Sequence, residues 1–557
     1  MNYNDIKKGL LLMALIVSIF SWGQKLPVGP QVTTFYSDAD DTEQPYGLYL
    51  PKNFDSNKKY PLVMMLHGAG SNHRLALKRV FGKSNEAGET DVEASRYFQN
   101  WSDVDYIVAA PLARGTMGYQ GLTEKDVMDV LADVRKRFNI DEDRTYLTGL
   151  SMGGGGTLWI GLTHPDIWAA VAPVCPAPPP GTDELAANGL NIPFHFFHGD
   201  KDQAVPVAVS RDWTKKLKEL GAQVEYVEYP GVNHNSWENA YKDGFIFDWF
   251  SKYKRNAYPN EVRFNTRNYQ HSKAYWVSLD QLTPGTLATF VAQFTAPNTI
   301  DVTTSALGAF TLTLTHHPQY KPGQPLTVTI DGKKIKVTPS DQLSFRQEAG
   351  KWLNVKYEAA ANAKKRGAEG PIAASFASRH VYVYGTSGNP DEEELKKRRE
   401  LAEQAAAWSA YRGAFLGRLM FFPRVVSDKE IRPSDIESSN LILFGTKDTN
   451  LLIEKYSSQL PLELNPLATA GYGLFYTFPL NGHYVTINSG LPWWTVSKPQ
   501  GFYSSPQLML GGFTKDFVLY KEYSDTKVAE GHFDQNWNTS EADKKGLAAS
   551  GVVTVKH

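Results

Sequence analysis

The sequence predicts an α/β protein: an α/β-hydrolase-type domain on a parallel-rich sheet, then a small antiparallel β domain and a second α/β sandwich. Three observations predict it. From about residue 45 to 255, apolar runs of strand length alternate with helical stripes. That alternation belongs to parallel sheets covered by helices on both faces. Threonine-rich segments of period two follow, and from about 370 strand–loop–helix units return.

The chain of 557 residues is too long for one core, so several domains are expected. Its start has the pattern of a secretory leader. Lys7 and Lys8 precede the apolar run "LLLMALIVSIF" (10–20), and Ser21 and Gly23 are small. The run is too short to span a bilayer, and no later run is long enough. A signal peptide over 1–23, a mature start near Gln24 and a secreted or periplasmic location are expected. No cysteine follows the leader closely, so no lipid anchor is expected. The formal net charge is −1 with no basic block, which excludes a nucleic-acid partner. "DEEELKKRRE" (391–400) mixes signs and reads as a solvated helix face. Cys175 is the one cysteine, so no intramolecular disulfide can form. It lies in "AAVAPVCPAPPP", a strand end, and reads as a small buried residue.

Each element of the first domain has its own signal. "YPLVMMLHGAG" (60–70) is a buried strand running into a glycine loop, and "YIVAAPLARG" (106–115) is another. "KDVMDVLADVRKRF" (125–138) puts Val127, Val130, Leu131, Val134 and Phe138 on one helical stripe. "RTYLTGLS", "AAVAPV" (169–174), "IPFHFFHG" (192–199) and "VEYVEYPG" (224–231) are further strands. "VSRDWTKKLKELG" (209–221) is a helix closed by glycine.

Gly149-Leu150-Ser151-Met152-Gly153 is a G-x-S-x-G motif at a strand-to-helix junction, the context that motif requires. Flanking side chains would clash in so tight a turn. Gly154, Gly155 and Gly156 let the helix lie close to the sheet. A serine there stands exposed at the sheet's edge, but it attacks only if a base takes its proton. "HGDKDQAVP" (198–206) offers Asp200 and Asp202, and "YPGVNHNSW" (229–237) offers His234. Both blocks follow strands, at the carboxyl edge where such sheets carry their sites. His234 is the candidate base, with either aspartate to orient its ring.

These three blocks resemble the α/β-hydrolase esterases, the group of acetyl xylan, feruloyl and polyhydroxybutyrate-type esterases, related to prolyl oligopeptidase-type serine hydrolases. The resemblance covers residues 45–255, under half the chain. It implies Asp202, three residues before Val205-Pro206, as the triad acid. It also implies an oxyanion hole from the amides of Met152 and of Ala69 in "HGAG", with His67 anchoring that loop. No metal or cofactor is implied. The segment "APPPGTDELAANGL" is too short for a helical lid, so an open site is expected. Trp237 and Trp168 are candidates to line the cleft, with the core as the other place for both.

"RNAYPNEVRF" (255–264) closes the hydrolase, giving expected domains at 24–258, 259–345 and 346–557. "FTLTLT" (310–315) and "LTVTIDGKKIKV" (326–337) alternate with period two, and Asp331-Gly332 is a hairpin signal. "HVYVYGTSGN" (380–389), a helix at about 391–411 and "NLILFGTKDTN" (440–450) build the last domain, whose expected role is accessory. "SGLPWW" (489–494) reads equally as a sugar-stacking surface or as core. The expected function is a secreted serine esterase acting on acetyl or feruloyl esters of plant or algal polysaccharide, or on a small ester. The second reading is a peptidase of prolyl oligopeptidase type. Nothing in the sequence fixes an oligomeric state.

Overall fold

The computed structural model describes residues 27–556 apart from 100, 414 and 415. The expected leader therefore lies outside the described residues. The first sheet has eight strands: β1 (Gly29–Ser37), β2 (Thr42–Leu50), β3 (Tyr60–Leu66), β4 (Ile107–Pro111), β5 (Ile140–Leu150), β6 (Ala170–Val174), β7 (Phe194–Gly199) and β8 (Val224–Tyr229). Their order is β1-β2-β4-β3-β5-β6-β7-β8. β2 pairs antiparallel with β1 and β4, and the pairs from β4 to β8 are parallel. This is the α/β-hydrolase architecture.

Packing explains the apolar runs. β3, β4, β6 and β7 are buried at every position. Alternate residues enter opposite layers: Leu62 and Met64 face one core, Val63 and Met65 the other. The first core is covered by α1 (Leu122–Arg137) and α2 (Met152–Thr163), and α3 (Ala208–Glu219) adds Trp213 and Leu217. β1 carries no such run, because it is mostly half-exposed and threonine- and glycine-bearing, and β2 is buried without a break only from Tyr46 to Leu50.

Residues 261–353 form two five-stranded sheets around Phe264, Phe290, Phe310 and Phe345. The Asp331-Gly332 hairpin forms, with Ile330 opposite Lys333. One pair departs from the antiparallel expectation: Thr299–Ser305 runs parallel to Thr327–Ile330. Between them the chain crosses to the opposite sheet through Leu307–Thr313, so it returns in the same direction.

Residues 380–531 supply a seven-stranded sheet whose first four strands in spatial order are parallel and whose remaining pairs are antiparallel. Its first long helix ends at Ala405, short of the expected 411, and Trp408 just beyond it is buried. Trp493 is core: it stacks on Phe475 at 4.7 Å, with planes 8° apart. The loops at Gly385 and Gly445 close on neighbouring chain. Arg398 donates to the carbonyls of Gly385, Ser387 and Thr449.

Polar seams join the three units. Fully buried Arg114 pairs with Asp40 at 2.8 Å and Asp126 at 2.6 Å, and donates to the Met420 carbonyl at 2.9 Å. The short segment at 177–190 docks the β unit. Asn188, in its 3-10 segment Thr182–Asn191, donates to the Asn265 carbonyl and accepts the Asn265 amide.

Candidate active site

Ser151 follows β5 directly, with φ 55° and ψ −117°. Residues with a side chain rarely adopt this conformation, and such strain persists only where the surroundings enforce it. Here the Ser151 amide donates to the Val174 carbonyl at 2.9 Å, and its own carbonyl accepts the Ala177 amide at 3.0 Å. The glycines are required by close approach. A Cβ at Gly153 would collide with the carbonyls of Leu66 and His67, and one at Gly155 with the Ala177 carbonyl. The helix behind the serine can touch the sheet only without side chains.

His234 lies beyond β8, in the next loop. Its Nε2 is 2.9 Å from Ser151 Oγ, and its Nδ1 is 2.7 Å from Asp202 Oδ2. The serine hydroxyl donates to Nε2 and the Nδ1 proton to the carboxylate. The Asp202 side chain is fully buried, and its Oδ1 accepts the amides of Ala204 at 2.9 Å and Val205 at 2.8 Å. Burial works against its charge, but the His234 hydrogen bond and these amides outweigh burial and hold its carboxyl below the ordinary value. Asp200 does something else: its Oδ1 accepts the Gly231 amide at 2.6 Å and pins the loop that carries His234. The structure thus brings Ser151, His234 and Asp202 together and leaves Asp200 outside.

His198 escapes sequence reading. Its Nε2 lies 3.1 Å from Asp202 Oδ2 and 3.0 Å from the Val205 carbonyl, and its Nδ1 is 2.8 Å from Ser210 Oγ. Burial pushes this imidazole below its usual value, so it is a neutral brace on the carboxylate. The available signal was period two in β7, where Phe194, Phe196 and His198 share a face.

Met152 is the first residue of α2, so its amide is among those with no partner inside the helix. Ala69 sits in the loop after β3, next to Gly68. A Cβ on Gly68 would come within 3.5 Å of the Ser151 Cβ. The loop is braced: the Gly70 amide donates to Thr116 Oγ1 at 2.9 Å, and Tyr119 donates to the His67 carbonyl at 2.9 Å. The ring nitrogens of buried His67 lie 2.8 Å from the carbonyls of Gly68 and Leu112, so His67 holds the loop.

Trp237 stands edge-on to His234, 5.5 Å between ring centroids. Trp168 is a correction. It is 1% exposed, packs in the first core and donates to the Ile160 carbonyl, so it has no surface to offer a substrate. It precedes β6, at the amino end of the strands, whereas Ser151 follows a carboxyl end. Cys175 is buried, and burial pushes its thiol up to about 12. Its Sγ faces the His234 carbonyl at 3.4 Å.

Residues 37–309, just under half of the chain, match the Esterase family. A dipeptidyl-peptidase 5 of Aspergillus fumigatus is 23% identical over 295 residues, 42% of this chain and 38% of that protein. The chain therefore spans well under half the length of that curated relative. Among solved structures, a thermostable esterase is 31% identical with a TM-score of 0.32, covering 41% of this chain and 63% of its own. A ferulic acid esterase from Anaeromyces mucronatus is 21% identical with a TM-score of 0.31, covering 40% of this chain and 90% of its own.

Proposed function

We infer, from an N-terminal unit that is an α/β-hydrolase of the esterase group, that this serine ester hydrolase uses Ser151, His234 and Asp202 as its catalytic triad. The hydrogen-bonded line from Ser151 Oγ through His234 to Asp202, at 2.9 and 2.7 Å, carries the reading. Ser151 attacks the ester carbonyl while His234 Nε2 takes the hydroxyl proton. Asp202 fixes the ring tautomer and stabilises the imidazolium. The Met152 and Ala69 amides stabilise the oxyanion, often the largest single contribution in such chemistry. His234 then protonates the leaving alcohol. Water, activated by the same ring, releases the acid and frees the serine.

The substrate class in this reading is a carbohydrate bearing acetyl or feruloyl esters, met outside the cell after removal of the leader at 1–23. The ferulic acid esterase likeness agrees with it. Trp237, edge-on to the base, is the aromatic assigned in this reading to meet an acyl or sugar group. The domains are 24–258, 259–345 and 346–557, and the last two present large substrates to the first.

A second reading, dipeptide release from peptides, is favoured by the dipeptidyl-peptidase 5 likeness. One comparison separates the two. The esterase reading expects turnover of p-nitrophenyl acetate, methyl ferulate or acetylated xylan and none of a prolyl anilide. Turnover of the anilide with inert esters overturns it.

A further inference from the structure

Away from the serine, three metal-ligating side chains from two structural units converge. Glu124 is in the first turn of α1, His164 caps the end of α2, and His271 comes from the β unit. Glu124 Oε1 lies 2.9 Å from His164 Nε2 and 2.5 Å from His271 Nε2. The ligand atoms of all three lie within 4.8 Å of one another. The two imidazoles stand perpendicular, at 87°, with centroids 5.1 Å apart. We propose that Glu124, His164 and His271 bind one zinc-class divalent cation that fastens the β unit to the catalytic unit.

Charge is the first argument. The Glu124 side chain is 1% exposed, and among the described residues its ion-pair partners are His164 and His271 alone. A buried carboxylate without a fixed cation is costly. A divalent ion held by the same two imidazoles would set that charge directly against the carboxylate.

The donor set is the second argument. Two imidazole nitrogens and one carboxylate oxygen are ligands that zinc accepts, at about 2.0–2.2 Å each. Tetrahedral angles at those lengths place ligand atoms about 3.3 Å apart, so the Glu124 oxygen must back away from each imidazole by less than about 1 Å, while the two imidazole nitrogens already lie within 4.8 Å of each other. His164 lies at the rim with its side chain 20% exposed, so it has room to move and leaves water a fourth position.

The third argument is orientation. Trp159 Nε1 donates to Glu124 Oε2 at 2.7 Å, which occupies one carboxylate oxygen and directs the other toward both histidines. Partners of this kind commonly fix metal ligands. The role is structural. His164 and Ser151 flank opposite ends of the twelve-residue α2, about 18 Å apart along its axis. The ion would not reach the ester.

The test uses the full chain, stripped with a chelator and titrated with zinc against a chromogenic competitor. Cobalt is the spectroscopic probe. The proposal expects one zinc per chain, a visible cobalt absorption and a melting temperature that rises with zinc. It expects the same from Ser151→Ala. Glu124→Gln and His164→Ala should weaken zinc binding by at least about 100-fold and abolish the zinc-dependent rise, as loss of a ligand demands. His164 is at the rim, so that variant should fold, and circular dichroism checks it. Zinc binding that is unchanged in His164→Ala overturns the proposal. So does a wild-type melting temperature indifferent to zinc, since a triad held by hydrogen bonds alone predicts that result.

Discussion

Asp202 and Asp428 are buried carboxylates doing nearly the same work in two different sheets. Each follows a strand and gathers the loops at its sheet's edge. Asp202 accepts the amides of Ala204 and Val205. Asp428 accepts those of Thr386 at 3.0 Å and Leu451 at 2.8 Å. The difference is the remaining oxygen. On Asp202 it meets His234, whose far nitrogen meets Ser151. On Asp428 it meets the Thr386 hydroxyl at 2.7 Å, and the chain of contacts stops there. A strand–loop–helix edge is thus a scaffold in both units. It becomes a candidate catalyst only where the loop carboxylate is joined to a base and the base to a strained nucleophile.

The sharpest break in that comparison is Ser151→Ala. Ester turnover should fall by roughly 10⁴-fold or more with the fold intact, because the attacking atom is gone. An acyl adduct mapping to another residue would refute the assignment. Asp202→Asn should cost about 10³–10⁴-fold, since an amide stabilises the wrong tautomer of His234. Asp200→Asn should cost less than about tenfold, because it loosens only the Gly231 turn. The reverse ranking would give the catalytic role to Asp200.

The sheet's edge was legible in the sequence because its causes are local. Gly149 to Gly156 announce a helix pressed on a sheet, and the strands around them are apolar at every position because both faces are covered. Asp202 and His234 follow their strands, so sequence order alone placed them at one edge. What was not legible depends on distant chain. Trp168 reads as a cleft aromatic until β6 shows which end of the sheet it occupies. Glu124 and His271 meet across 147 residues, and no periodicity in either segment signals it. β1 is mostly half-exposed, so it leaves no run to find.

The acid side of the pH profile sharpens the contrast further. Burial works against the charge on Asp202, but His234 and two amides hold its carboxyl below the ordinary value. A carboxylate lowered in this way stays ionised in the folded protein as pH falls, and its contribution to stability is lost only toward acid below the usual carboxylate range. The acid limb of kcat/KM should therefore take no contribution from Asp202 until pH falls below the usual carboxylate range. A limb that steepens to slope two within the usual carboxylate range would contradict that ordering.

The smallest effect on turnover belongs to the other carboxylate. Asp428→Asn removes a charge that no nucleophile uses, so activity on p-nitrophenyl acetate should stay within about twofold of wild type. Stability should not. The carboxylate satisfies two amides and one hydroxyl, and an amide side chain offers a single acceptor oxygen with a donor group in place of the second. The single oxygen can keep both amides, but the new NH2 then faces the Thr386 hydroxyl, which loses its charged acceptor, at a cost of roughly 1 kcal/mol. Denaturant unfolding of full-length protein, followed beside ester turnover, reads both quantities. Loss of stability with activity retained fits a carboxylate that only staples loops. A loss of turnover matching that of Asp202→Asn, in protein still folded by circular dichroism, would mean that the second sheet's edge takes part in the chemistry.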